Sequence, residues 1–353
     1  MRLKHIDSYS VGGKRMLKEL VELWGVSGYE KKVSDYIVEQ VKDYADEIIR
    51  DAIGNLIVFK RGNGEEKKKI MVAAHMDEIG LCVVKITEEG FLKVKKVGGV
   101  SAHCSFMNRV IFRNGTVGTV ASYAKPEEFK SGEIDKLYID IGAGSKEEAE
   151  KYVHVGDCAM FEGQYQELVG RNVMAKAFDD RSACYIQIEA LKAMETPYHD
   201  VYFVFTVQEE VGLFGATTSS ERIRPDLGIA IDITGSFDVP GDEHGNVVLG
   251  KGAAICVSNA LVVCDEEMVE QMVECAKENH IPYQMDVLTN GGTDAGAINK
   301  SYRGVKAVGI SIPTRYGHSP NSIINLDDVK ACIDLLKVYV EQPLRIVTEE
   351  VFK

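Results

Sequence analysis

Apolar residues recur every three to four positions in two stretches near the start of the chain. Met16, Leu17, Leu20, Val21 and Leu23 form the first, and Val33, Tyr36, Ile37, Val38 and Val41 the second, predicting two amphipathic helices within residues 13–45. Residues 48–50 and 55–59 read as the arms of a β-hairpin turning near Ala52-Ile53-Gly54. The charged run 65–69 reads as a solvated turn before the apolar strand 69–74, which ends in His75-Met76-Asp77-Glu78. Between residues 82 and 168 the pattern changes to short strands (91–97, 109–112, 118–123, 136–141 and 158–161), with only 146–152 helical. From Val173 onward the elements alternate: helices at 180–194, 266–279 and 326–340, and strands at 201–207, 227–233, 283–288 and 304–312.

Such alternation predicts an α/β protein with a mostly parallel sheet and helices on both faces. In these folds ligands bind beyond the carboxyl ends of the strands. The chain has 353 residues, more than one core usually organises. The expected division is a domain made of residues 1–82 plus 169–353, interrupted by a small β-rich insert at 83–168. A net charge of -13 argues against nucleic acid as a partner, since phosphates require a basic face. No apolar run approaches the ~20 residues of a membrane span, and Met1 to Asp7 lacks the apolar centre of a signal peptide. Cys82, Cys104, Cys158, Cys184, Cys256, Cys264, Cys275 and Cys332 show no CxxC spacing, and several sit in apolar segments, as buried free thiols do. A cytoplasmic protein is expected.

The adjacent pair Glu209-Glu210 closes the apolar run 201–208. Burying a lone carboxylate there costs several kcal/mol unless a metal or a proton compensates it. The pair therefore points to a metal with a base beside it, or to an acid–base pair. The plain alternative is a solvated turn leading into a helix begun by Gly212-Leu213-Phe214-Gly215-Ala216, whose dipole favours anions. Four further clusters follow an apolar strand or open a helix: His75-Met76-Asp77, Asp179-Asp180-Arg181, Asp232, and His318 in Tyr316-Gly317-His318-Ser319-Pro320. One such cluster would be a turn or a helix cap; five on one sheet edge are harder to dismiss. Two histidines and several carboxylates, with no cysteine, suit Zn, Co or Mn in a hydrolytic site. A dinuclear site also needs a bridging carboxylate and a base, which the spare acids could supply. Neighbours on a strand face opposite ways, so Glu209 and Glu210 need a bulge or the strand's end to share a site.

Ala74-His75-Met76-Asp77-Glu78-Ile79-Gly80, Lys176-Ala177-Phe178-Asp179-Asp180-Arg181, Gln208-Glu209-Glu210-Val211-Gly212, Gly291-Gly292-Thr293-Asp294-Ala295-Gly296 and Pro313-Thr314-Arg315-Tyr316-Gly317-His318-Ser319-Pro320 occur in that order. Together they resemble the signatures of the glutamyl, deblocking and tetrahedral aminopeptidases, co-catalytic metallopeptidases of which some are labelled endoglucanase or cellulase M. The likeness spans essentially the whole chain. It implies a zinc-peptidase-like fold holding two divalent ions per chain, Zn or Co, with Mn a further candidate. By resemblance Asp179 bridges the ions, His75 and Asp232 complete one site, and Glu210 and His318 complete the other. Glu209 is then the general base, and Asp77 holds His75 in its ligating tautomer. The same likeness implies peptide substrates with a free N-terminus and a homo-oligomer, up to a tetrahedral dodecamer, with the insert as dimerisation or assembly domain.

Two departures bear on substrate preference: Gly317 stands where larger residues are common, and Asn321-Ser322 where an acid is expected. Two rival functions remain. An endoglucanase-type glycoside hydrolase would place two carboxylates about 5–9.5 Å apart across a groove rich in aromatics, yet the single tryptophan, Trp24, falls in an N-terminal helix. A non-catalytic assembly subunit would have no use for the ligand set. His5, His103, His154, His199, His244 and His280 read as structural or solvated, although His244, in an acidic loop, could edge a substrate pocket. Leu249-Gly250-Lys251-Gly252 lacks the spacing of a phosphate loop. The run 291–296, with Thr293 and Asp294 opening a helix, reads as a backbone wall of the active site.

Overall fold

The two amphipathic stretches form α1 (Val11–Glu22) and α2 (Lys31–Val41) in a computed structural model that describes residues 11–242 and 244–349. His5 and the segment Met1 to Asp7 lie outside the described residues. Both helices bury the side chains that set their period, among them Leu17, Leu20, Val33 and Ile37. Trp24 corrects the sequence reading: it follows α1 in an irregular segment, is 8% exposed, and donates its indole N–H to the Ile111 carbonyl at 3.0 Å. The hairpin arms are β1 (Glu47–Arg50) and β2 (Leu56–Lys60), and the apolar strand is β3 (Lys69–His75).

Next comes a closed barrel of β4 (Gly80–Ile86), β5 (Leu92–Val97), β6 (Arg109–Phe112), β7 (Val117–Ser122), β8 (Leu137–Asp140) and β9 (Cys158–Phe161), in the order β4-β5-β8-β7-β6-β9. Short helices α3 (Ala102–Ser105) and α4 (Lys146–Ala149) lie between its strands, and the helix expected at 146–152 keeps only its first turn. Closure leaves no sheet edge and gives the barrel its own core, including Leu81, Val94, Val110, Val120, Ile139 and Phe161.

The chain then returns through β10 (Gln166–Glu167), β11 (Asn172–Ala175), α5 (Phe178–Ala193), β12 (Asp200–Thr206), α6 (Phe214–Ile223) and β13 (Leu227–Gly235). It closes with β14 (Ala253–Ser258), α7 (Glu266–Glu278), β15 (Tyr283–Val287), α8 (Asp294–Lys300), β16 (Lys306–Arg315), β17 (Ser322–Asn325) and α9 (Leu326–Glu341). The sheet has 11 strands, ordered β1-β2-β12-β3-β13-β16-β17-β11-β10, with β14 and β15 branching from β16. Its centre, β12-β3-β13-β16, is parallel, as is the pair β14-β15, while the remaining pairings are antiparallel. Both faces are covered, as a parallel centre requires. Along β3, Ile70, Val72 and Ala74 face one core, shared with Leu17 and Ile186, while Met71 and Ala73 face another, shared with Ala216 and Ile298. No described helix is long and apolar enough to cross a membrane.

A buried ion triad joins the sheet to the N-terminal helices. Lys176 Nζ donates to both Glu78 carboxylate oxygens at 2.9 and 2.8 Å, and Arg181 Nη2 approaches Glu78 Oε1 at 3.4 Å. Arg181 also donates to the carbonyls of Leu20 (2.9 Å), Gly25 (3.1 Å) and Met76, and Lys176 to that of Leu23 at 3.1 Å. Burial lowers the Lys176 pKa to about 8 despite the opposing pull of Glu78. The exit of β3, the entry of α5 and the turn after α1 are thus locked together. Glu78→Gln leaves two buried cations facing a neutral amide, so unfolding should become easier by about 3–5 kcal/mol. Denaturant unfolding measures this, and a loss below about 1 kcal/mol, the level of an exposed pair, would show that the triad is dispensable.

Candidate active site

The carboxyl ends of the central strands bring the acidic and histidine residues together. β3 ends at His75, the segment after β12 carries Glu209 and Glu210, β13 carries Asp232 and the segment after β16 carries His318. Asp179 enters from the start of α5, where Asp179 and Asp180 have non-helical dihedrals and are joined by a cis peptide bond. Glu209 and Glu210 share the site because β12 stops at Thr206 and Gln208 turns the backbone at φ +56°. Their side chains are 11% and 4% exposed, which removes the solvated-turn alternative.

Asp179 is the centre of the cluster. Its Oδ1 lies 3.0 Å from His75 Nε2 and its Oδ2 lies 2.9 Å from His318 Nε2. Burial opposes its ionisation, but hydrogen bonds from His318 and His75 hold its pKa well below the usual carboxylate range. Among the described residues, two groups offer ligand atoms lying within 4.8 Å of one another: His75, Glu209 and Asp232, and His75, Asp179 and Glu210. His318 Nε2 is 3.5 Å from Glu210 Oε1. His75, Asp179, Glu209, Glu210, Asp232 and His318 therefore all meet at one place.

Asp77 sits behind them, fully buried. The Asp77 carbonyl lies 3.1 Å from His75 Nδ1 and its carboxylate 3.4 Å, leaving Nε2 to face Asp179. The same carboxylate accepts from Ser27 Oγ at 2.6 Å and from the backbone N–H groups of Glu209 and Glu210 at 3.0 and 3.2 Å. Burial alone would raise its pKa; the bonds from His75, Ser27 and Glu209 bring it below the ordinary value. Asp77 thereby orients one histidine and shapes the turn that presents both glutamates. No pattern in the sequence pointed to Ser27.

Around this ionised pair the other acids are pushed toward protonation. Burial, then the neighbouring Asp179, raises Glu210 to about 7 and places Asp232 well above its usual value. Burial also raises Glu209 and Asp180 well above theirs, and brings Asp294 to about 6. Glu210 Oε1, Asp180 Oδ1 and Asp294 Oδ1 are buried without a hydrogen-bond partner. Crowded oxygen donors short of positive charge, with two imidazoles among them, fit divalent cations.

The cluster floors a cavity of about 440 Å³ whose other walls include Leu213, Ile233, Leu261, Leu288 and the backbone of Gly291 and Gly292. Leu261 packs where a Cβ on Gly296 would stand, 2.7 Å from the Leu261 Cβ, which explains small residues in that motif. None of the residues lining this cavity is Trp, Tyr or Phe. His244 is exposed and is not among the lining residues, and His199 is buried away from the cavity.

The raised pKa values set a pH response for protein stripped of metal. Glu210 moves from 4.5 to about 7 and Asp294 from 3.8 to about 6, so the folded state binds protons that the unfolded state releases. Their contribution to stability is present at low pH and lost as pH rises through the folded values. His318, raised to about 10 by its hydrogen bond to Asp179 against the cost of burial, acts in the same direction. The melting temperature of chelator-treated protein should fall between about pH 5 and 8, and added Zn or Co should remove most of that slope. A flat or rising curve in the stripped protein would contradict this.

The chain matches the family model described as M42 glutamyl aminopeptidase over residues 54–335. A putative aminopeptidase of Acetivibrio thermocellus is 45% identical over 321 residues, covering 91% of this chain and 96% of the relative. An aminopeptidase of the archaeon Desulfurococcus kamchatkensis superposes with a TM-score of 0.89 at 39% identity, covering 94% of each chain. The TET1 peptidase of Pyrococcus horikoshii, which can assemble into a tetrahedron or a large octahedral shell, superposes with a TM-score of 0.82 at 33% identity, covering 94% of this chain and 99% of that one. The chain is thus a metal-dependent aminopeptidase and belongs to the M42 glutamyl aminopeptidase family.

Proposed function

We propose that the enzyme removes N-terminal residues from peptides with two divalent metal ions per chain, held in two half-sites that share Asp179. His75 and Asp232 complete one half and Glu210 and His318 the other, with Zn or Co as the expected ions and Mn as a third option. The observation that supports this most is the position of Asp179, with one oxygen toward each histidine Nε2. When bound, the ions would polarise the scissile carbonyl and make water more acidic. Glu209, buried beside the cluster, takes the proton of the attacking water and hands it to the leaving amine. Asp77 acts through His75 by fixing its ring. A metal ion or a nearby carboxylate would bind the free α-amino group, which limits attack to chain ends.

Residues 1–82 and 169–353 form the catalytic unit in this reading, and 83–168 the assembly unit of a homo-oligomer. Exposed apolar side chains on and around the barrel, Met107, Val117, Tyr123, Tyr152 and Val155, support such contacts. The eight cysteines, all unpaired, accord with work in the reducing cytoplasm.

Glu209→Gln preserves shape but cannot accept a proton. Hydrolysis of an unblocked peptide should fall about 10²–10⁴-fold while metal analysis still finds both ions. Glu210→Gln should lower metal content together with activity. The opposite pattern of metal loss would exchange the two roles, since Glu209 also lies within ligand distance of His75 and Asp232. For assembly, light scattering at micromolar concentration should give a mass several times that of the 39.0 kDa chain; a monomer would refute it.

A further inference from the structure

The barrel reaches back into the active site at one point. Just after β5, Gly99 donates its backbone N–H to Glu210 Oε2 at 3.3 Å, and its carbonyl lies 3.0 Å from His318 Nδ1. A carbonyl oxygen only accepts, so His318 carries its proton on Nδ1 and turns Nε2 toward Asp179, 2.9 Å away. His75 has the same arrangement, with Asp77 in the place of Gly99. The two histidines are therefore oriented by different units of the fold, one by the main sheet and the other by the insert.

The approach is too close for a side chain. A Cβ on Gly98, itself at φ +79°, would lie 2.9 Å from Glu210 Oε2, and a Cβ on Gly99 would overlap the His318 ring at Nδ1. Gly99 does not occupy the left-handed region, so its smallness serves the contact with His318 rather than the backbone.

We infer that Gly99 is a positioning residue through which the barrel sets the Glu210–His318 half of the metal centre, its carbonyl fixing the imidazole tautomer and its N–H fixing the carboxylate. The inference rests on Glu210 and His318 being ligands, as proposed above. Loss of an outer partner of a ligating histidine typically costs about 10–100-fold in metal affinity.

The test is metal binding rather than turnover. Wild type, Gly99→Ala, His318→Ala and the double variant are stripped and titrated with Zn, with circular dichroism as the check on folding. Gly132→Ala is the control, because Gly132 also lies in the insert, outside the left-handed region, with nothing within 4 Å of its added Cβ. Gly99→Ala should keep one tight Zn equivalent and bind the second about 10–100-fold more weakly, while Gly132→Ala matches wild type. In the His318→Ala background, Gly99→Ala should add little, since both act on one half-site. Gly99→Ala binding both equivalents like wild type, or an effect fully additive with His318→Ala, overturns the positioning role. His318→Ala retaining both equivalents instead overturns the ligand assignment beneath it. If Gly99→Ala fails to fold while Gly132→Ala folds, Zn-loaded wild type decides: a His318 proton found on Nδ1 by 15N NMR supports the contact with the Gly99 carbonyl, and a proton found on Nε2 overturns it.

Discussion

Too many carboxylates occupy too little water-free space at the end of the central strands, and most of the surrounding architecture answers that constraint. An ionised acid in such a place needs positive charge or donated hydrogen bonds. Asp77 obtains donors from Ser27 and two backbone amides, and Asp179 from two imidazoles. Glu209, Glu210, Asp180 and Asp232 obtain far less, and their raised pKa values record the shortfall. A cation supplies what the protein leaves missing, which is why the same crowding that would weaken a plain core suits a hydrolytic metal centre. The segments bearing Asp77 and Asp179 are themselves clamped by Glu78, Lys176 and Arg181.

Most of the site was legible because each of its residues ends an apolar run or opens a helix, features that survive in one dimension. His75 after 69–74 and Glu209 after 201–208 stand out for that reason, and the pairing of residue types named the metal chemistry. The family resemblance then distributed roles among residues that composition alone could not rank. Ser27, the triad and Gly99 were not legible in the same way. Each works across a long stretch of chain, Ser27 reaching Asp77 50 residues away and Gly99 reaching His318 219 residues away, and pattern carries no such information.

The fold shows a similar division. The strongly periodic helices and the buried strands β3, β12 and β13 follow their patterns closely. β4 escaped because it begins directly after the polar motif at His75, and β14 because its residues Ala253, Ala254 and Cys256 read as an apolar stretch without alternation. Trp24 appeared helical by period alone, but its indole is drawn to the barrel by the Ile111 carbonyl, a tertiary contact that outweighs local preference.

The barrel's first and last strands are hydrogen-bonded neighbours, with Gly80 opposite Met160. The barrel's entry and exit thus lie within a few ångströms of each other. In polymer terms this shortens the chain that must be closed to bring His75 to Asp179, which are 104 residues apart in sequence. Once the barrel has formed around its own core, only roughly two dozen residues separate them along the effective path, lowering the entropic cost of closure by about 1.3 kcal/mol. A barrel of this size can therefore sit between His75 and Asp179 at little cost to bringing them together, provided that it folds before they meet.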